Sequence, residues 1–223
     1  AGSTASYADF LQRLAIAAGL PVLSLDYRLG PEHPFPAALE DATDAFRALI
    51  AAGFDSRRLL LAGDSAGGGL AIATAAELRD RGAPLPAAVA AVSPWTDLAL
   101  TGASLRRNAL LDYLPHCDLA TSARAYLGGA DARDARASPL YGDLRGLGPL
   151  YLQVGGAEVL LDDSVELATR ARSAGVDVRL EVWPHMVHVW HFFAPYLEES
   201  RRAFDALGAF ARSALQLTGV HAR

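Results

Sequence analysis

Apolar residues along this chain switch between two periodicities. Residues 22–27, Val-Leu-Ser-Leu-Asp-Tyr, read as a short strand between Pro21 and a turn-rich run from Gly30 to Pro36. In residues 37–51 the positions Ala38, Leu39, Ala42, Ala45, Phe46, Leu49 and Ile50 recur at three- and four-residue steps, which predicts an amphipathic helix. Residues 59–62 predict a buried strand, 66–79 the helix after it, and 87–92 the next strand. From Trp95 to about Gly148 the pattern weakens, leaving one helical run near 118–127. Periodicity returns with a strand at 150–154, a helix at 163–174 stopped by Gly175, a strand at 176–183 and a last helix through roughly 195–215. There is no internal repeat, low-complexity tract or linker. Strand–helix alternation predicts an α/β fold, a mainly parallel sheet flanked by helices. In such sheets reactive groups collect beyond the carboxyl ends of the strands.

Composition narrows the partners. The 223 residues favour one domain, with 52% hydrophobic and 20% charged residues, a globular balance. The net charge of −5 and the absence of a basic stripe argue against nucleic acid. No apolar run approaches a membrane span, so the expected setting is cytoplasmic, without a membrane partner. Cys117 is the only cysteine, which excludes an intramolecular disulfide and fits a plain packing role.

Chemistry enters at Gly63-Asp-Ser65-Ala-Gly67, a G-x-S-x-G run that directly follows an apolar strand and opens a helix. A nucleophile elbow needs that setting: small residues permit the sharp turn, and the helix N-terminus offers amides to a developing oxyanion. Ser65 is the candidate nucleophile and Ala66 N–H the first oxyanion donor. The competing reading, Ser65 as a mere helix cap, lacks any chemical role. A phosphate loop is excluded because the chain contains no lysine.

A serine hydroxyl needs a base. His33 lies in a proline-rich turn, His116 beside Cys117 and His221 in the terminal tail. His185, His188 and His191 cluster just past the last strand. His188 is the candidate, flanked by apolar and aromatic residues. The His-x₂-His-x₂-His spacing drifts off a helix face and has no nearby carboxylate to complete a metal site, so no metal is expected. The third member should be a carboxylate lying between Ser65 and His188 in the chain. Glu158 is closest to the end of the 150–154 strand; Asp162 is next, and both Asp162 and Asp163 are also explained as helix N-caps.

These residues resemble the hormone-sensitive-lipase-like (family IV) carboxylesterases. The run from Asp26 to Asp41, Asp-Tyr-Arg-Leu-Gly-Pro-Glu-His-Pro-Phe-Pro-Ala-Ala-Leu-Glu-Asp, is similar to a block of that family, with Gly30 where alanine is usual. Gly63-Asp-Ser-Ala-Gly-Gly68, Ser138-Pro-Leu140 and the run from Gly148 to Gly155 match further family motifs. The resemblance implies an α/β-hydrolase fold with Ser65 as nucleophile, Glu158 as acid and His188 as base. It implies no cofactor, and a small ester or lactone as substrate. Glu158, where many members carry aspartate, and the Val159–Ser164 and Met186–His191 runs are similar to the monoterpene lactone hydrolase-like branch.

The family also carries a His-Gly-Gly-Gly loop that completes the oxyanion hole, and no such run occurs here. Gly2-Ser3, a helix at 7–18 and the 22–27 strand match the family's segments just downstream of that loop. The expectation is therefore a single, N-terminally incomplete catalytic domain over 1–223 without cap helices and early strands, with a partial cap around 95–148. A sheet gap would open beside residues 22–27. Each lost oxyanion donor typically costs ~10²–10³ in turnover, so activity should be weak. The expected function is hydrolysis of short-chain acyl esters through an acyl-enzyme. The alternatives are a lactone hydrolase on the same triad, a truncated inactive homologue or a small-molecule receptor. A homodimer through the last edge strand is implied by analogy.

Overall fold

Four short strands, β1 (Leu60–Asp64), β2 (Ala88–Val92), β3 (Leu150–Gly155) and β4 (Val178–Trp183), pair in that order and all in parallel. The structure, a computed structural model, describes residues 4–216 apart from the His116 side chain; Gly2, Ser3 and His221 lie outside the described residues. The period-two alternation on β2 and β3 decides which helix covers which face. Val89, Ala91, Leu150 and Leu152 point at α3 (Ala66–Asp80) and α6 (Leu161–Ser173) through Ile72, Ala75, Leu167 and Ala171. Ala90, Val92 and Tyr151 point the other way, at Phe10 of α1 (Ala8–Ala18) and at Phe204 and Leu207 of α7 (Glu198–Ala214). Helix α2 (Ala37–Ala51) packs on α3. β2 and β3 are buried along their whole length, which is why they read as continuous apolar runs.

The weakly patterned segment holds two helices, α4 (Ser104–Arg107) and α5 (His116–Leu127), and a 3₁₀ turn at Pro139–Tyr141. Its apolar residues Trp95, Leu98, Leu105, Leu119 and Leu127 close on Val159 and Leu160 in a third cluster. Only α5 was visible in the periodicity, because a four-residue helix is too short to show one.

One expected element is not there. Residues 22–27 form no strand, and Val22, Leu23 and Leu25 are exposed. A strand is defined by its ladder, and among the described residues nothing pairs with this run or with the outer edge of β1. Two of its polar side chains are held instead by Thr4, whose hydroxyl donates to Asp26 and lies 3.2 Å from the Ser24 hydroxyl.

The α1–α7 face contains a buried imidazole. The His191 ring lies 4.3 Å from that of Trp190, tilted by 46°, and meets Phe204 edge-on at 5.2 Å. Its Nε2 bonds Gln153 Oε1 at 2.9 Å, whereas Nδ1 has no partner. Burial pulls its pKa down to about 3, so the fold holds it neutral. Between pH ~6.5 and 3 the unfolded chain binds a proton at this residue that the fold refuses. The contribution is therefore complete above pH ~6.5 and is lost progressively as the pH falls. Thermal melts at neutral and mildly acidic pH should show a larger acid loss for the wild type than for His191→Gln. Equal losses would mean that His191 protonates freely in the fold.

Candidate active site

The turn after β1 is built by what glycine leaves out. A Cβ at Gly63 would run into the backbone of Gly67, so only glycine lets the strand turn this sharply into α3. Ser65 sits at the apex with φ 53° and ψ −123°, a conformation dominated by glycine in mirror-image turns. Its backbone is stitched to the end of β2: Ser65 N–H donates to Val92 O and Trp95 N–H to Ser65 O, both at 2.9 Å. Ala66 and Gly67 begin α3, where amides have no intrahelical carbonyl to bond. The Ala66 N–H thus lies beside the Ser65 hydroxyl at the positive end of the helix.

Across the sheet, the loops leaving β3 and β4 converge. A Cβ at Gly155 would overlap Met186 O, so glycine is what allows the two loops to touch. Glu158 is fully buried and His188 is 5% exposed. His188 Nε2 lies 2.9 Å from Ser65 Oγ, and its Nδ1 lies 3.1 Å from Glu158 Oε2. A carboxylate only accepts, so the proton belongs on Nδ1 and Nε2 is left to accept from the serine hydroxyl. Glu158 Oε1 accepts from Gly155 N–H and from Ser93 Oγ–H, each at 2.6 Å. Burial pushes the Glu158 carboxyl above its ordinary range, and the bonds from His188, Ser93 and Gly155 pull it back.

The structure brings together Ser65, Glu158 and His188, and leaves the other candidates elsewhere. Asp162 accepts from Ser104 N–H and Arg107, and Asp163 from the Thr96 and Asp97 amides. Burial raises Asp163 to about 7, opposed by those two amide bonds. Both carboxylates tie the start of α6 to the segment after β2. The three clustered histidines do not converge: His185 is exposed and His191 is buried on Gln153. Cys117 is exposed, not packed as expected.

Several participants were missed. Ser93, the first residue past β2, bonds Glu158 and accepts from Val189 N–H at 3.1 Å. Its place at a strand's carboxyl end was the available signal. Ser65, Ser93 and Val189 all have positive φ (53°, 46° and 46°), and they meet around His188. Three of the six described non-glycine residues with positive φ thus lie at this site. Tyr113 has its ring centroid 6.4 Å from that of His188, with Phe193 beyond it at 6.4 Å, and both are exposed. Two hollows of about 370 and 300 Å³, lined in part by Asp143 and Leu144, include none of the three residues. No described helix is long and apolar enough to cross a membrane.

Known proteins carry the same architecture. The family described as alpha/beta hydrolase fold matches residues 1–192. An acetyl-hydrolase of Streptomyces hygroscopicus is 51% identical over 214 residues, spanning 96% of this chain and 72% of that protein. An esterase of Acinetobacter venetianus is 34% identical, spanning 95% and 71%. The crystal structure of an esterase from the bacterial hormone-sensitive lipase family superposes with a TM-score of 0.94 at 50% identity, over 96% of this chain and 72% of that one. The crystal structure of EstE5, soaked with p-nitrophenyl butyrate, superposes with the same TM-score of 0.94, at 43% identity over 96% of this chain and 73% of that one. The chain belongs to the hormone-sensitive-lipase-like carboxylesterases of the α/β-hydrolase fold, and is a carboxylic ester hydrolase.

Proposed function

We propose that this chain cleaves short-chain acyl esters in two steps through an acyl-enzyme on Ser65. The observation that carries the reading is the unbroken hydrogen-bonded sequence Ser65–His188–Glu158 past the carboxyl ends of β1, β4 and β3 of one parallel sheet. His188 Nε2 takes the hydroxyl proton as Ser65 Oγ attacks the carbonyl carbon, and Glu158 stabilises the imidazolium that results. The Ala66 N–H donates to the oxyanion. When the tetrahedral adduct collapses, His188 returns the proton to the leaving alcohol; water then repeats the cycle and releases the acid. The exposed Tyr113 and Phe193 rings offer an apolar wall to an acyl or alcohol group. The relatives named acetyl-hydrolase and the p-nitrophenyl butyrate soak favour a small acyl group. Within this reading residues 95–148 form the cap-side insert of a single catalytic domain, and the outer edge of β4 is the surface for pairing two copies.

Labelling with a fluorophosphonate, followed by peptide mass analysis, tests the nucleophile independently of turnover speed. One adduct per chain is expected, on the peptide containing Ser65, together with loss of p-nitrophenyl butyrate hydrolysis. An adduct on any other residue, or hydrolysis that survives full labelling, would sink the assignment.

A further inference from the structure

The stretch joining α4 to α5 lies on the surface. Leu110 is 99% exposed and Leu111 60%, and the Tyr113 ring is open to solvent. Its three polar side chains, Asn108, Asp112 and Tyr113, nevertheless each reach inward onto the main chain around Glu158 and His188. Asn108 Nδ2–H donates to Glu158 O at 2.7 Å and to Gly156 O at 3.3 Å. Asp112 Oδ2 accepts from Val159 N–H at 2.9 Å, and Asp112 Oδ1 from His188 N–H at 3.0 Å. Tyr113 O–H donates to His188 O at 2.7 Å.

The two loops need such a restraint. Register between β3 and β4 ends at Gly155 and Trp183, and beyond it two backbone bonds, Gly156 N–H to Trp183 O and Ala157 N–H to Met186 O, hold the loops together. Past that point no backbone bond joins the two loops among the described residues, yet the Nδ1–Oε2 contact must be kept within hydrogen-bond range. Ser93 spans the gap from inside, bonding Glu158 and Val189. Asp112 spans it from outside, with one carboxylate that accepts from the residue after Glu158 and from His188 itself. Tyr113 secures the carbonyl of the same histidine, so both polar backbone groups of His188 are held by consecutive residues.

We propose that Asp112 is a positioning residue for the ester-cleaving site, an external brace that sets the distance and angle between Glu158 and His188. This rests on the roles proposed above for those two residues. Asp112 also accepts from Tyr113 N–H at 2.9 Å, which steadies its own turn, so a purely local role is the alternative to be tested.

Asp112→Asn keeps the shape but replaces one acceptor oxygen with an N–H₂ group aimed at a backbone N–H. The expected result is a ~10- to 100-fold fall in kcat for p-nitrophenyl butyrate with KM within about twofold of wild type, since small misplacements of reacting groups cost that much. In proton NMR, the strongly downfield imidazole N–H shared with Glu158 should broaden or move upfield. Wild-type kcat with an unmoved resonance would overturn the proposal, as would an activity loss matched by the unfolded fraction while the folded protein keeps the resonance. Should Asp112→Asn fail to fold, Tyr113→Phe removes only the bond to His188 O; it should lower kcat a few-fold at constant KM, and no change in kcat or resonance would again overturn the brace. The resonance reports on the Glu158–His188 bond whatever the chemistry, whereas an error in the proposed nucleophile appears separately as turnover that persists in Ser65→Ala.

Discussion

Ser65→Ala and Ser65→Gly should each lower kcat/KM for p-nitrophenyl butyrate by at least ~10⁴-fold, and the glycine variant should be the more stable of the two by about 1 kcal/mol. Both lose the hydroxyl, and with it the bond to His188 Nε2, so neither can form an acyl-enzyme. They differ in the backbone. At φ 53° and ψ −123° any Cβ is strained, which typically costs ~1–3 kcal/mol. Glycine removes that strain and gives back ~0.5–1 kcal/mol in the entropy of the unfolded chain. The difference between the variants therefore isolates the strain from the lost hydrogen bond. Kinetics and chemical denaturation of the pair read both quantities. Retained turnover would remove Ser65 from the mechanism; an alanine variant more stable than the glycine one by ~0.5–1 kcal/mol would mean that the elbow carries no strain.

Glu158→Gln should cost roughly 10³–10⁴-fold in kcat, the size expected when a base is held in the wrong tautomer. Gly155 N–H and Ser93 O–H both point at Oε1, so the amide oxygen of glutamine belongs there and its N–H₂ group must face Nδ1. To avoid opposing donors, the imidazole shifts its proton to Nε2 and directs it at Ser65. His188 then cannot accept the hydroxyl proton. Asp162→Asn, by contrast, weakens a half-exposed pair with Arg107 and should change kcat by less than about tenfold. Measuring the two variants side by side decides between the carboxylates that the chain order alone leaves open. A larger loss in Asp162→Asn would reassign the acid.

How much of the site could be read from the sequence depends on how local each feature is. The elbow is a pattern within five residues, so Gly63 to Gly67 announced it. Glu158 and His188 were legible because each lies closely past the end of a strand. Ser93 and Asp112 were not singled out: their partners lie 65 and 76 residues away, Ser93 is marked only by its place just past β2, and no local pattern marks Asp112. The run 22–27 has the composition of a strand, but composition cannot report whether a second strand lies alongside, and among the described residues none does. The segment 95–148 hid its order for another reason. It is fixed by side-chain bonds such as those of Asp97 to Thr101 and Tyr141, which leave no periodic trace.

The strand order also has a temporal consequence. Parallel neighbours cannot be joined by a tight turn, so every seam of this sheet waits for a crossover to close. Leu60 meets Ala88, and Leu150 meets Val178, over spans of equal length, while Val89 must find Leu150 across about twice that distance. Doubling a loop adds only ~0.6 kcal/mol of closure entropy, so length alone delays the middle seam little. The heavier cost is ordering the intervening residues, of which α4 and α5 cover only a minor part. Ser65 bonds the end of β2 on one side of that seam, and Ser93 N–H reaches Gln153 O of β3 across it. During refolding, the half carrying Ser65 and the half carrying Glu158 and His188 should therefore each take shape before they meet, and the capacity to react with an ester should be the last property to return.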